Sequence, residues 1–306
     1  MDYQYKEHIS NFRSWIENAN PYEYVLYKQN MGEHLSIDET SLSQGELYTI
    51  VTNKAAKGKQ GSLVAMVRGT KAEDVILFLS QLPRSLRLKV KEITLDLSPT
   101  MQRICKSCFP NAELVSDRFH VQRLMNEAIS DMRIDYRWEA IELENKEIAF
   151  AKDLRKKYVP FTFKNGDTRR QLLARSRHII MKHFTKWTDS QRIRAEILFR
   201  EYPALEEAYQ VSMELTQIYN TTKNKGVGLT KLAHWYNKVE RLNMKFFKSV
   251  IVTMQNNYDT IANYFTRRAT NASAESFNAK IKAFRSQFRG VQDIPFFIFR
   301  IEKLFA

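Results

Sequence analysis

A mixed α/β sheet, interrupted late in the chain by a large all-helical insertion, is the fold the sequence predicts, and three observations carry it. Three strand-like runs open the periodic part of the chain, two further strands then alternate with helices, and from about residue 134 to 265 strand signals give way to helix formers. A chain of 306 residues with 43% hydrophobic and 27% charged side chains can bury a substantial core, in one large domain or two modest ones. No run approaches the roughly 20 consecutive apolar residues of a membrane span, and MDYQYKEHIS lacks the basic and apolar regions of a leader. A cytoplasmic protein with no membrane partner is expected. The 2 cysteines, Cys105 and Cys108, are too few for a disulfide scaffold and suit a reducing compartment.

Residues 1–34 are rich in aromatics but show no period beyond a short helix around 11–18, and they read as a lead-in. Leu35 and Ile37 then alternate with His34, Ser36 and Asp38, and β-rich runs follow at 47–52 and 62–67, joined by the polar hairpin loop NKAAKGKQG. Thr70 and Glu73 have capping-box spacing ahead of an apolar helix face formed by Val75, Ile76, Phe78, Leu79 and Leu82, which Pro83 ends. Val90, Ile93 and Leu95 make a strand that stops at Asp96. Ser98 can cap the next helix and Pro99 suits its first turn; that helix runs to the Phe-Pro-Asn turn at 109–111. Residues 113–116 form a strand ending at Asp117, and 120–133 a helix with Val121, Leu124, Met125, Ala128, Ile129 and Met132 at three- and four-residue steps.

The helical insertion, 134–265, has breaks near Pro160, 164–167, Pro203 and 223–228. A strongly periodic helix at 271–288 and a hydrophobic one at 294–305 close the chain. The expected division is a lead-in at 1–34, a core at 35–133, the insertion at 134–265 and the last core helices at 266–306. This order matches an RNase H-like fold with an insertion before its final core helix.

Charge is concentrated. The net +14 comes almost entirely from residues 151–200, with 14 Lys/Arg against 4 Asp/Glu, and residues 266–290, with 6 against 1. Such segments suit a polyanion, because neutralised phosphates release counterions; a solvated lysine-rich helix face has the same composition.

Asp38 and Asp96 each fall at an expected strand end, where functional groups of α/β sheets gather, which would bring the two near each other despite their separation in sequence, although an isolated Asp there also starts a turn or caps a helix. On the 271–288 helix, Ala274, Phe277, Ile281, Phe284 and Phe288 form an apolar stripe. Glu275, Asn278, Lys282, Arg285 and Arg289 form a polar stripe one residue further round. The helix can therefore pack on the sheet while aiming one carboxylate, one amide and three cations at a crevice. Three carboxylates without a Cys/His cluster favour a hard cation, Mg²⁺ or Mn²⁺. Two such ions about 3.5–4 Å apart support phosphodiester chemistry, and the basic segments make DNA the expected substrate.

Ser36-Ile-Asp38-Glu39, Leu95-Asp96-Leu-Ser98-Pro99, Phe109-Pro-Asn-Ala with Asp117-Arg-Phe-His120-Val, and Asn271-Ala-Ser-Ala-Glu275 with Asn278 and Ile281-Lys282 together resemble the DDE transposases of bacterial insertion sequences, in the ISL branch related to Mutator-like elements. The resemblance spans roughly residues 30–305. It implies an RNase H-like catalytic core in which Asp38, Asp96 and Glu275 hold a two-metal site that cleaves transposon ends and joins them to target DNA. It also implies supporting roles for Asp117 and His120, DNA contacts from Arg267, Arg268, Asn278, Lys282, Arg285 and Arg289, and at least a homodimer on DNA near the nucleoid. Many relatives carry a DNA-recognition region ahead of the core, so end recognition is expected from a separate polypeptide or from the insertion. A nuclease without strand transfer and a non-catalytic DNA-binding regulator are the alternatives. Cys105 and Cys108 have zinc-like spacing but no second pair and read as packing residues. Trp187 and Trp235 read as core, and His178 and His183 as surface.

Overall fold

Period-two apolar patterning organises the first third of the chain into a sheet. In the computed structural model, which describes residues 4–42, 45–287 and 293–306, six strands form: β1 (Tyr24–Leu26), β2 (His34–Ser41), β3 (Leu47–Asn53), β4 (Leu63–Arg68), β5 (Glu92–Leu95) and β6 (Glu113–Ser116). Their order is β1-β4-β3-β2-β5-β6. β1/β4, β3/β4 and β2/β3 pair antiparallel, whereas β2/β5 and β5/β6 pair parallel. The split follows the connections: short loops join antiparallel neighbours, and parallel ones need a crossover. Helix Ala72–Leu79 lies in the first crossover and Pro99–Cys108 forms the second. The α/β class with a mixed sheet is therefore as expected.

By Cα proximity the chain separates into two compact units, residues 1–118 with 257–306, and residues 119–256. In the first, one sheet face carries Leu35, Ile37, Val51, Val67, Ile93 and Leu95 against Val75, Leu79, Met101 and Ile104 of the crossover helices. The other carries Tyr48, Ile50 and Met66 against Phe277 and Ile281 of helix Ala272–Gln287 and Phe297 and Ile301 of helix Ile294–Phe305. Each such fully buried side chain contributes about 1.5–3 kcal/mol. Cys105 and Cys108 are buried free thiols in this core, and burial pushes Cys108 up to about 11.

Three elements differ from expectation. Part of the lead-in is ordered: β1 pairs Tyr24 with Val67, and helix Phe12–Asn18 sets Phe12 edge-on to Phe296 at 5.2 Å. A three-residue strand is too short to show alternation, and its partner lies far along the chain. The capping box at Thr70 does not form. Helix Ala72–Leu79 starts after Lys71 with no side-chain cap, and Glu73 instead meets Arg103 at 2.6 Å. The helix expected at 120–133 runs over Arg118–Asp153, 36 residues, because no Pro or Gly interrupts the sequence before Pro160.

The second unit is built of helices joined by irregular segments, with no strand among the described residues. After the long helix come Arg169–Arg175, Asp189–Glu201, Pro203–Thr221, Lys225–Leu242 and Lys248–Asn256. Capping boxes at Thr168/Gln171 and Thr188/Gln191 start two of them, and Pro203 starts a third. Trp235 is fully buried and donates its indole N–H to Val211 O at 2.8 Å. Trp187 is half-buried against Tyr209, while His178 and His183 are exposed. Among the described residues no helix is long and apolar enough to cross a membrane.

Asp167 is fully buried and accepts from Arg175, from Arg194 Nε at 2.7 Å and from Asn165 Nδ2 at 2.8 Å. Burial raises its pKa, but the two guanidiniums outweigh this and hold it below 3.8. Its stabilisation is thus present above the ordinary carboxylate range and lost as pH falls through the depressed value. Asp167→Asn should cost about 2–4 kcal/mol in urea unfolding at pH 7, less than a fully desolvated pair because Arg175 is half exposed. The variant should also lose stability less steeply on acidification, and an unchanged acid profile would exclude the assignment.

Candidate active site

The parallel register brings together residues far apart in sequence. β2 and β5 pair His34 with Glu92, Leu35 with Ile93 and Ser36 with Thr94. Carried on by two residues, the same offset sets Asp38 beside Asp96. β5 and β6 pair Leu95 with Ser116, and the Asp117 N–H donates to Leu95 O at 2.9 Å, so Asp96 is followed laterally by Asp117. Asp96 and Asp117 thus follow the ends of β5 and β6, whereas Asp38, expected at a strand end, lies within β2 opposite Ile50 of β3, because β2 runs on to Ser41 paired with β3 beyond its parallel segment. All three lie on the carboxyl-end side of the parallel segment, where α/β sheets place ligands. Ser36 Oγ and Thr94 Oγ1, 2.7 Å apart, mark the shared face on which Asp38 and Asp96 lie two residues further along.

Local hydrogen bonds orient both carboxylates. Asp38 Oδ1 accepts from the Glu39 N–H at 2.8 Å and Oδ2 from Asn278 Nδ2 at 2.7 Å. Asp96 Oδ1 accepts from the Ser98 N–H at 3.0 Å, an Asx turn that leads into helix Pro99–Cys108, where Ser98 Oγ caps Met101 N. Glu39 reports the charge density of the pair: burial first, then Asp96 and Asp38, raise its carboxyl above 4.5.

Helix Ala272–Gln287 is pinned to the sheet at four points. Thr94 Oγ1 donates to Asn271 Oδ1 at 3.2 Å ahead of its first turn, and Asn278 bonds Asp38 at mid-helix. Lys280 Nζ donates to Gly58 O at 2.6 Å, and Arg285 Nη1 to Ser41 O at 3.3 Å. Gly58 lies in the β3–β4 hairpin at φ +69°, a conformation that glycine adopts without a Cβ clash. Ala274, Phe277 and Ile281 face the core as expected. Glu275 stands exposed one turn before Asn278, and Lys282 is exposed beyond it. Asn278, expected to face DNA, is 8% exposed with its amide nitrogen on Asp38.

Of the remaining expected residues, Asp117 is 2% exposed, and His120 is half-buried in the first turn of the long helix. Arg267 is exposed, and Arg268 terminates helix Tyr258–Arg267 in the left-handed region at φ +55°. Arg289 lies outside the described residues. Glu39 and Asn271 were given no role of their own from sequence, although each lies within a quoted motif, Ser36-Ile-Asp38-Glu39 and Asn271-Ala-Ser-Ala-Glu275.

The donors are the oxygens a hard cation prefers. Asp38 and Asp96 concentrate charge, and Asn278 Oδ1 is buried with no hydrogen-bond partner. Among the described residues no group of three or more His, Cys, Asp or Glu is arranged to hold a metal ion. What the fold preassembles is the aspartate pair.

With this geometry in place, residues 35–301 match the profile of the ISL3 transposase family. The chain belongs to that family. It is 21% identical over 275 residues to the transposase of insertion sequence element IS1001 from Bordetella parapertussis, covering 89% of this chain and 61% of that protein. The chain thus spans about 61% of the length of that curated relative. No solved structure matches it. The family match runs from β2 into the closing helix, so it includes Asp38 in β2 and the ends of β5 and β6 that Asp96 and Asp117 follow.

The Asn278 amide donates to a carboxylate, a bond worth about 1.5–3 kcal/mol. Asn278→Ala should destabilise the sheet-bearing unit by about that amount in urea unfolding. Asn278→Asp should cost more at pH 7, because it sets a like charge against Asp38. Equal stability of the two variants would show that Asn278 does not hold Asp38.

Proposed function

We propose that the chain is the catalytic region of a DDE transposase, which cleaves DNA at transposon ends and transfers the freed 3′ end to target DNA. The observation that carries this reading is the β2/β5 register, which sets Asp38 beside Asp96 with both carboxylates oriented by hydrogen bonds. An RNase H-like core is supported by the strand order: without the edge strand β1 it reads third, second, first, fourth, fifth, with the last two parallel to the first.

In the first reaction a water oxygen attacks the phosphorus at the transposon boundary and the 3′ oxygen leaves as a hydroxyl. In the second, that hydroxyl attacks a target phosphodiester and displaces the target's own 3′ oxygen, so phosphodiester bonds are conserved. Asp38, Asp96 and Glu275 are the residues that would hold Mg²⁺ or Mn²⁺, which when bound supplies Lewis-acid activation of the attacking oxygen and charge relief at the leaving oxygen. Asn278 positions Asp38, and the Asp96 turn ties the second carboxylate to the start of helix Pro99–Cys108. Lys282, Arg285, Arg267, Arg268 and Arg289 would neutralise backbone phosphates, and Asp117 and His120 keep the supporting roles that the family resemblance implies. A homodimer or larger assembly pairing two ends, end recognition by another polypeptide or the helical unit, and association with the nucleoid complete the proposal.

The test is incubation with a duplex carrying the element's own terminal repeats and Mg²⁺ or Mn²⁺, comparing the wild type with Asp96→Asn. Cuts at the repeat boundary and joined products are expected for the wild type. A loss of at least about a thousandfold is expected for the variant, which should still bind DNA. Cuts that persist in Asp96→Asn would overturn the site assignment. Cutting without joining would indicate a nuclease, and binding without cutting a regulator.

A further inference from the structure

In the helical unit, one buried arginine has two further arginines as the charged groups acting on it. Arg133, on helix Arg118–Asp153, is 5% exposed. Its Nη1 donates to Leu173 O at 2.9 Å, while Nε is buried with no hydrogen-bond partner. The charged groups that act on it are both cations, Arg137 and Arg177; burial first, then these two, hold its pKa below the ordinary arginine value. Arg137 is one turn further along the same helix face. Arg177 follows helix Arg169–Arg175, whose Leu173 carbonyl Arg133 holds. Both are exposed, and neither makes an ion pair among the described residues.

Three acids on the surrounding segments are engaged elsewhere. Asp135 pairs with Lys245 at 2.7 Å, Glu144 with Arg170 at 3.2 Å, and Asp167 with Arg175 and Arg194. A desolvated guanidinium flanked by like charges is costly unless an anion joins it. The guanidinium fork matches a tetrahedral oxyanion better than a lysine point charge does.

We propose that Arg133, Arg137 and Arg177 form a phosphate-binding site in the helical unit, whose ligand is a phosphodiester of the DNA backbone. Arg137 and Arg177 contact the phosphate directly; Arg133 stays on Leu173 and supplies buried positive charge beneath it. The choice of DNA over free phosphate rests on the reading of DNA as the substrate and on the net +10 of residues 151–200. The site gives this unit a share of DNA binding that is independent of the aspartate pair.

The experiment measures binding of the full chain to a mixed-sequence DNA duplex across a salt series, in chelator so that no cleavage occurs. It compares the wild type, Arg137→Gln/Arg177→Gln, and the charge-matched control Lys223→Gln/Lys248→Gln. The arginine variant should bind about tenfold more weakly at fixed salt, with a log Kd against log salt slope smaller by about 1 than that of the control. All changes are at exposed residues, and circular dichroism verifies folding. If the arginine variant and the control coincide, the site is overturned while DNA as substrate stands; if the wild type binds no DNA, both readings fall. A thermal shift of the wild type with millimolar inorganic phosphate, absent in the arginine variant, combined with unchanged DNA binding, would assign the site to free phosphate and overturn the DNA ligand.

Discussion

The parallel pairing of β2 with β5 is the constraint on which the candidate site depends. A strand register is all or nothing: a slip of one residue would turn every side chain of β5 to the opposite face and remove Asp96 from Asp38. The apolar residues hold it in place, because Leu35, Ile37, Ile93 and Leu95 alternate onto the face covered by the crossover helices. The same alternation delivers Ser36, Asp38, Thr94 and Asp96 to the opposite face, where helix Ala272–Gln287 contributes Asn271 and Asn278. Core packing on one face thereby positions polar chemistry on the other.

That helix is fixed by polar as well as apolar contacts. Phe277 and Ile281 bury its stripe, but their packing alone would allow a small slide along the sheet. Thr94, Asp38, Gly58 and Ser41 each accept or donate one directional bond along its length, which sets its translation as well as its tilt. Part of the polar stripe is therefore spent on the fold, leaving Glu275 and Lys282 as its exposed members among the described residues.

Charge composition likewise overstates the surface open to a polyanion. Within residues 151–200, Arg175 and Arg194 hold Asp167, and Arg170 pairs with Glu144, so these cations serve the helical unit itself. Arg177 is not so engaged, and its proximity to Arg133 arises from the Leu173 carbonyl contact rather than from any run of basic residues. Counting charges locates a basic segment but cannot separate structural guanidiniums from those available to a ligand.

Element identity was legible wherever a period or a local cap decided it. The alternation of β2, the Ser98-Pro99 helix start, the stripe of helix Ala272–Gln287 and the closing helix Ile294–Phe305 all rest on interactions within a few residues. Elements decided by distant partners were not legible: β1 exists because β4 accepts it, and Glu73 left its capping role for Arg103. The candidate site divides the same way. By itself the sequence determined that Asp96 and Asp117 follow strands, which helix faces the sheet and where positive charge concentrates, because these follow from short-range periodicity and composition; it ended β2 at Asp38, whereas pairing with β3 carries that strand on to Ser41. Only the tertiary structure decided the β2/β5 register behind the expected nearness of Asp38 and Asp96, that Asn278 bonds Asp38 and that Arg133 lies buried among cations, because each depends on register and packing between segments whose separation no local pattern encodes.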